Sequence, residues 1–135
     1  MIRQILWYTR GMKHHPTGFS VRGLVQSFKN AARGFRVLLW NEYNLYLQIL
    51  AAVGITILGF AVELTWYEWA LQSAVIGLVI FSELINTAIE KTMDLVHPEY
   101  DDRVRDIKDL AAGSVLFIVL VSLTTGAFIY LPKFF

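Results

Sequence analysis

Apolar residues fall into three long blocks separated by short polar interruptions, and each block suits a membrane crossing better than a globular core. Tyr43 to Val62 is twenty residues without a charge, enough for a helix rising about 1.5 Å per residue to cross roughly 30 Å of hydrocarbon. Leu110 to Pro132 is a second uncharged block, of twenty-three residues. Between them, Trp69 to Ser82 is apolar for only fourteen residues. That is too few to cross alone, so the pattern predicts a helix running on through Glu83 and Glu90 to Val96. Spans are therefore expected at about 43–62, 69–96 and 110–132.

Upstream, Val21, Leu24, Val25, Phe28, Ala32, Phe35 and Leu39 recur at helical spacing, while Arg22, Lys29, Arg33 and Arg36 line the adjacent flank. This predicts an amphipathic surface helix over about 20–40, lying in the membrane interface with its basic edge toward anionic headgroups. Residues 1–18 end in the turn signal Pro16-Thr17-Gly18 and form a leader without an assigned role. Residues 19–135 read as one membrane domain. The expected fold class is an all-α membrane protein: an interfacial N-terminal helix plus three transmembrane helices.

Composition agrees. The chain has 135 residues, 56% of them hydrophobic, and a mean hydropathy of +0.49. With no cysteine there is no disulfide, thiol nucleophile or cysteine-bound metal. His14, His15 and His97 lack zinc-ligand spacing. The net charge of +1 conceals segregation: residues 1–41 carry seven basic side chains and no acid, Lys91 to Asp109 carries four more, and the Glu63 to Glu68 turn has none. Basic flanks stay cytoplasmic, so the N-terminus is expected inside and the C-terminus outside. No nucleic-acid partner is expected.

Within the middle span, Glu83, Asn86, Glu90 and Asp94 project into one narrow arc at about 100° per residue. Carboxylates in a lipid setting are costly, which makes such a stack a candidate site. Glu42, Glu90, Lys108 and Asp109 fall at the same membrane surface, and Glu83 lies roughly 10 Å deeper than Glu90. Such a set suits phosphoryl transfer to a lipid alcohol. Glu42 and Glu90 are hard oxygen ligands of the type Mg²⁺ prefers, Lys108 offers a point charge to phosphate with Asp109 to orient it, and Glu83 is placed as general base with Asn86 one turn away. On chemistry alone three readings stay open: catalysis, acids kept as helix-packing glue or paired with Lys91, and ion or proton passage. No Gly-rich phosphate loop is present, so an ATP site here is built differently.

The blocks Glu83-Leu84-Ile85-Asn86-Thr87-Ala88-Ile89-Glu90, Asp94, Pro98-Glu99-Tyr100 and Lys108-Asp109-Leu110-Ala111-Ala112-Gly113-Ser114-Val115-Leu116 resemble the small bacterial integral-membrane diacylglycerol kinase and undecaprenol kinase family, from about Phe28 to Tyr130. The resemblance implies a homotrimer of three-span protomers in the bacterial inner (cytoplasmic) membrane, with active sites shared between subunits and MgATP as phosphoryl donor. It places the general base on Glu83, metal-binding carboxylates on Glu42 and Glu90, and nucleotide contacts on Lys108 and Asp109, with Asn86 and Asp94 in support and Glu99 and Tyr100 near the adenosine. After Glu42 the undecaprenol kinase branch usually has an Arg-Asn-Phe-Arg-like run followed by His, whereas here the residues are Tyr43-Asn44-Leu45-Tyr46-Leu47-Gln48. The expected function is transfer of the γ-phosphoryl group of ATP to a membrane lipid hydroxyl, undecaprenol favoured over diacylglycerol. The alternative is a catalytically idle membrane protein that keeps its acids for trimer packing or senses lipids.

Overall fold

A computed structural model describes residues 20–41 and 43–135, and the side chains among them outside 37–41. The expected leader, 1–18, and Glu42 lie outside the described residues. Among the described residues the regular elements are four helices: α1 (Val21–Asn41), α2 (Tyr43–Ala61), α3 (Trp66–Val96) and α4 (Asp102–Phe134). Three of them, α2, α3 and α4, are long and apolar enough to cross a membrane.

Helix α1 opens at Ser20, whose side chain accepts from the Gly23 N–H at 3.4 Å. That hydroxyl satisfies one of the amide donors left unpaired at a helix start. Val21, Leu24, Val25 and Phe28 are all exposed.

Helices α3 and α4 form an antiparallel hairpin across His97–Asp101 and pack along one another, while α2 leans on α3 over a shorter stretch. The α2–α3 corner is set by backbone chemistry. The Leu64 N–H reaches the Gly59 carbonyl at 3.1 Å and the Glu63 N–H reaches the Phe60 carbonyl at 3.4 Å. These bonds, with Glu63 at φ 54°, make a Schellman ending that satisfies carbonyls the helix leaves free. Leu64 is thereby turned back under Gly59 into a small core with Ile129 and Tyr130, flanked by Ile55, Leu58, Val62 and Trp69.

Helix α3 begins at Trp66 because Thr65 and Glu68 form a capping box: the Thr65 N–H donates to Glu68 at 2.7 Å and the Glu68 N–H donates to the Thr65 hydroxyl at 3.4 Å. Lys133, in the last turn of α4, donates to the same Glu68 carboxylate at 3.0 Å. The Tyr130 hydroxyl donates to the Ile55 carbonyl at 2.9 Å and lies 2.5 Å from the Gln72 amide. One phenolic proton serves one acceptor, so the three groups are all satisfied when Gln72 turns its NH₂ toward the phenol oxygen. This end of the bundle is tied across all three spans.

Helix α4 begins at Asp102, well before the apolar block at Leu110. Asp101 supplies the reason, since its carboxylate accepts from the Arg103 N–H at 2.8 Å and Asp102 adds a negative charge to the first turn. A helix and the part of it that crosses lipid are different quantities, and here the charged segment extends the helix beyond the apolar one.

A Cβ at Gly59 would sit 2.9 Å from both Leu64 Cδ1 and Trp69 Cη2 and 3.2 Å from the Tyr130 hydroxyl. Trp69 also packs against Phe60, with ring centroids 4.7 Å apart. Gly59→Val is expected to lower the thermal midpoint in detergent, at an overpacking cost of about 1–3 kcal/mol. An unchanged midpoint would mean that α2 moves off α3 freely.

Candidate active site

Gln72, Ile76, Val79, Glu83, Asn86 and Glu90 alternate four and three residues apart along α3, so they form one stripe. Its ends are polar and its middle apolar. Glu83 is 2% exposed, Asn86 is 7% and Thr87 is 5%. Glu90 is half-buried and Asp94 exposed, so the acids run from the interior outward.

Across from Glu83 stands Gln48 of α2, whose Nε2 donates to Glu83 Oε2 at 3.2 Å. One turn further on, Asn86 Nδ2 donates to Glu90 Oε1 at 3.1 Å. Four buried oxygens beside these bonds have no partner among the described residues: Gln48 Oε1, Glu83 Oε1, Asn86 Oδ1 and Thr87 Oγ1. An unmade hydrogen bond on a buried group costs about 1–3 kcal/mol. Four at one level mark a place built to receive donors rather than a finished packing core.

Toward the end of α3, Asp94 forms an ion pair with Lys108 of α4. Lys91 is exposed. One of the readings left open, acids paired with Lys91, has no such ion pair among the described residues: Lys108 is the cation that the packing of α3 against α4 brings to Asp94. Asp109 is exposed beside it.

Glu99 and Tyr100 lie in the α3–α4 loop, where Tyr100 is 79% exposed and its hydroxyl donates to Asp102 at 2.9 Å and accepts from Arg105 at 3.0 Å. The structure thus joins Glu83 to Gln48, Asn86 to Glu90, and Asp94 to Lys108. It leaves Glu99 and Tyr100 in a separate network at the loop.

Among the described residues no group of three His, Cys, Asp or Glu side chains is poised to hold a metal. A lone hard ligand is nevertheless consistent with Mg²⁺, which takes one or two carboxylates and completes its shell with phosphate and water. Glu90, with one oxygen left beyond its bond to Asn86, and the unpartnered Asn86 Oδ1 are oxygen donors of the right kind.

Beside the stripe a cavity of about 610 Å³ opens between α2 and α4. Ile76, Val79 and Ile80 form its floor, and Gln48 stands in its wall.

The site belongs to a helical membrane protein with a buried carboxylate, hard oxygen donors and a lysine on neighbouring helices. The model of the prokaryotic diacylglycerol kinase family matches residues 29–130. The chain is 38% identical over 108 residues to the undecaprenol kinase of Bacillus subtilis (strain 168), covering 80% of this chain and 88% of that protein. It is 30% identical over 115 residues to a diacylglycerol kinase of Pseudomonas aeruginosa, covering 85% of each. With a diacylglycerol kinase of Synechocystis it shares 28% identity over 110 residues, 81% of this chain and 63% of that longer protein. The chain belongs to the prokaryotic diacylglycerol kinase family and is a lipid kinase. The idle-protein alternative falls with that finding.

Gln48 and Thr87 had no role in the sequence reading. The available signal for Gln48 was an amide inside the uncharged block Tyr43 to Val62, one helical turn past Asn44, since amides in membrane helices find partners on neighbouring helices.

At the loop, hydrogen bonds from Arg103 hold the Asp101 carboxyl down at about 2, against an ordinary 3.8. A depressed carboxyl stabilises the fold above its ordinary value, and that contribution fades as pH falls through the lowered one. Helix content of the native chain should therefore exceed that of Asp101→Asn at neutral pH and converge with it near pH 2. A gap that persists at that pH would detach the capping from the charge.

Proposed function

We propose that this lipid kinase transfers the γ-phosphoryl group of MgATP to the terminal hydroxyl of undecaprenol in preference to diacylglycerol. The observation that carries the proposal is the Glu83 carboxylate, buried in a membrane-spanning helix with one oxygen held by Gln48 and the other free.

In the reaction the lipid hydroxyl oxygen attacks the γ-phosphorus, its bond to phosphorus forms as the bond to the ADP oxygen breaks, and the hydroxyl proton passes to Glu83 Oε1. Gln48 keeps the carboxylate aimed by holding Oε2, and Asn86 positions Glu90. Glu90, together with Glu42, is the carboxylate set for Mg²⁺, which when bound neutralises phosphate charge. Lys108 turns from Asp94 to the nucleotide phosphates with Asp109 beside it, and Glu99 and Tyr100 meet the nucleoside end. That turn costs little, because the exposed Asp94 is a solvated partner and surface ion pairs are weak.

Undecaprenol is supported by the 38% identity to an undecaprenol kinase, against 30% and 28% to the two diacylglycerol kinases. The proposed setting is the bacterial cytoplasmic membrane with the N-terminus inside, α1 lying in the interface, and residues 1–18 as a leader. Three protomers are proposed to assemble with shared sites, since one protomer offers too few donors to enclose nucleotide and lipid.

Glu83→Gln removes the proton acceptor and preserves shape. Its turnover is expected to fall by roughly 10²–10⁴-fold, the usual contribution of a positioned acid or base, while MgATP binding persists. Turnover at the native rate would take the base role from Glu83. In parallel, radiolabel transfer from ATP in mixed micelles should show higher kcat/KM with undecaprenol than with diacylglycerol, and the reverse order would overturn the acceptor assignment.

A further inference from the structure

Resting on the kinase reading above, we infer that His97 is a positioning residue for the nucleotide: as an imidazolium it clamps the turn between α3 and α4 and so holds Glu99 and Tyr100 ready for MgATP. The turn runs from His97, which caps the end of α3, to Asp101, which caps the start of α4. The imidazole bridges it. Its Nδ1 lies 3.2 Å from the Glu99 carbonyl oxygen, and its Nε2 lies 3.8 Å from Asp101 Oδ2, an ion-pair separation. His97 and Asp101 are both half-buried.

Both ring nitrogens thus face oxygens that can only accept. A neutral imidazole carries one N–H, so it serves either Glu99 or Asp101 and turns a lone pair on the other. The imidazolium serves both. Position favours the cation further, because it stands at the negative end of the dipole of a 31-residue helix. The Asp101 carboxyl, held at about 2, keeps its charge throughout the range in which histidine ordinarily changes its own.

The residues inside the turn are those proposed to meet the nucleoside. Glu99 gives its carbonyl to the imidazole, and the Tyr100 hydroxyl is held by Asp102 and Arg105. A turn fixed at both ends loses less conformational freedom when nucleotide arrives, so the clamp lowers the KM for MgATP and leaves the transfer step at Glu83 alone. The other charged groups around the turn are Glu99 within it, Asp102, Arg103, Arg105 and Asp106 at the start of α4, and the Asp94–Lys108 pair one turn back on α3. Arg103 shares Asp101 with the imidazole, but its side chain is 87% exposed and its charge is screened. All are residue types whose charge ordinarily changes outside the range of histidine.

The test compares purified full-length native chain with His97→Gln, at saturating undecaprenol, near pH 6 and near pH 8 (about half a unit below and well above the ordinary value for histidine). The KM for MgATP of the variant divided by that of the native chain is read at each pH, which cancels titration of the nucleotide's own terminal phosphate. The ratio is expected to be roughly two- to fivefold at the lower pH, the size of one partly exposed ion pair, and to approach one at the higher, with kcat alike in both chains. In an Asp101→Asn background the rise toward acid pH is expected to shrink toward one. Amides of residues 99–102 should also exchange faster with solvent in His97→Gln than in the native chain at the lower pH. A ratio that is the same at both pH values, a rise that survives unchanged in the Asp101→Asn background, or a fall in kcat with native KM would overturn the inference. No labelled lipid from the native chain would sink the kinase reading itself, and the exchange rates would then decide the clamp: faster exchange in His97→Gln upholds it and equal rates overturn it.

Discussion

The hydrogen bond between Gln48 and Glu83 is the constraint around which the rest is arranged. A carboxylate at that depth is tolerated only where protein replaces the water it has lost. Gln48 supplies one donor, at 3.2 Å. The second carboxylate oxygen stays unsatisfied, as do the neighbouring oxygens of Asn86 and Thr87. These unmade hydrogen bonds cost stability at this level.

That arrangement holds only if α2 stands at a set distance from α3, and the distance is imposed at the opposite end of the bundle. Gly59 admits Leu64 and Trp69 against the α2 backbone, Tyr130 ties α4 to α2 through Ile55, and Lys133 ties α4 to the cap of α3 through Glu68. Packed small residues and interhelical hydrogen bonds are what hold helices together in lipid, where apolar side chains gain little by meeting one another. The bundle is pinned at one end and left open beside Glu83, which gives a wedge rather than a filled core.

Much of this was legible in the chain. The uncharged blocks announced α2 and α4, and the too-short apolar run after Trp69 forced the middle helix through its own acids, which are the acids of the candidate site. The ELINTAIE and KDLAAGSVL blocks pointed to the family. What stayed illegible depends on groups distant in sequence. Gln48 and Glu83 are thirty-five positions apart, and no periodicity reveals that they touch. The preference of Asp94 for Lys108 over Lys91 is likewise a product of the α3–α4 hairpin. The early start of α4 was readable in principle, because Asp101 followed by Asp102 is a helix-start signal, but the hydropathy pattern drew the boundary at Leu110 instead.

The central claim is that Glu83 takes the proton of the lipid alcohol. Its most direct measure is the single-turnover rate of phosphoryl transfer at saturating MgATP, compared among the native chain, Glu83→Gln and Glu83→Asp. The account requires a chemical step slowed roughly 10²–10⁴-fold in Glu83→Gln and partly recovered in Glu83→Asp, which keeps the carboxylate. A native rate in Glu83→Gln would assign the proton to another group and contradict the account.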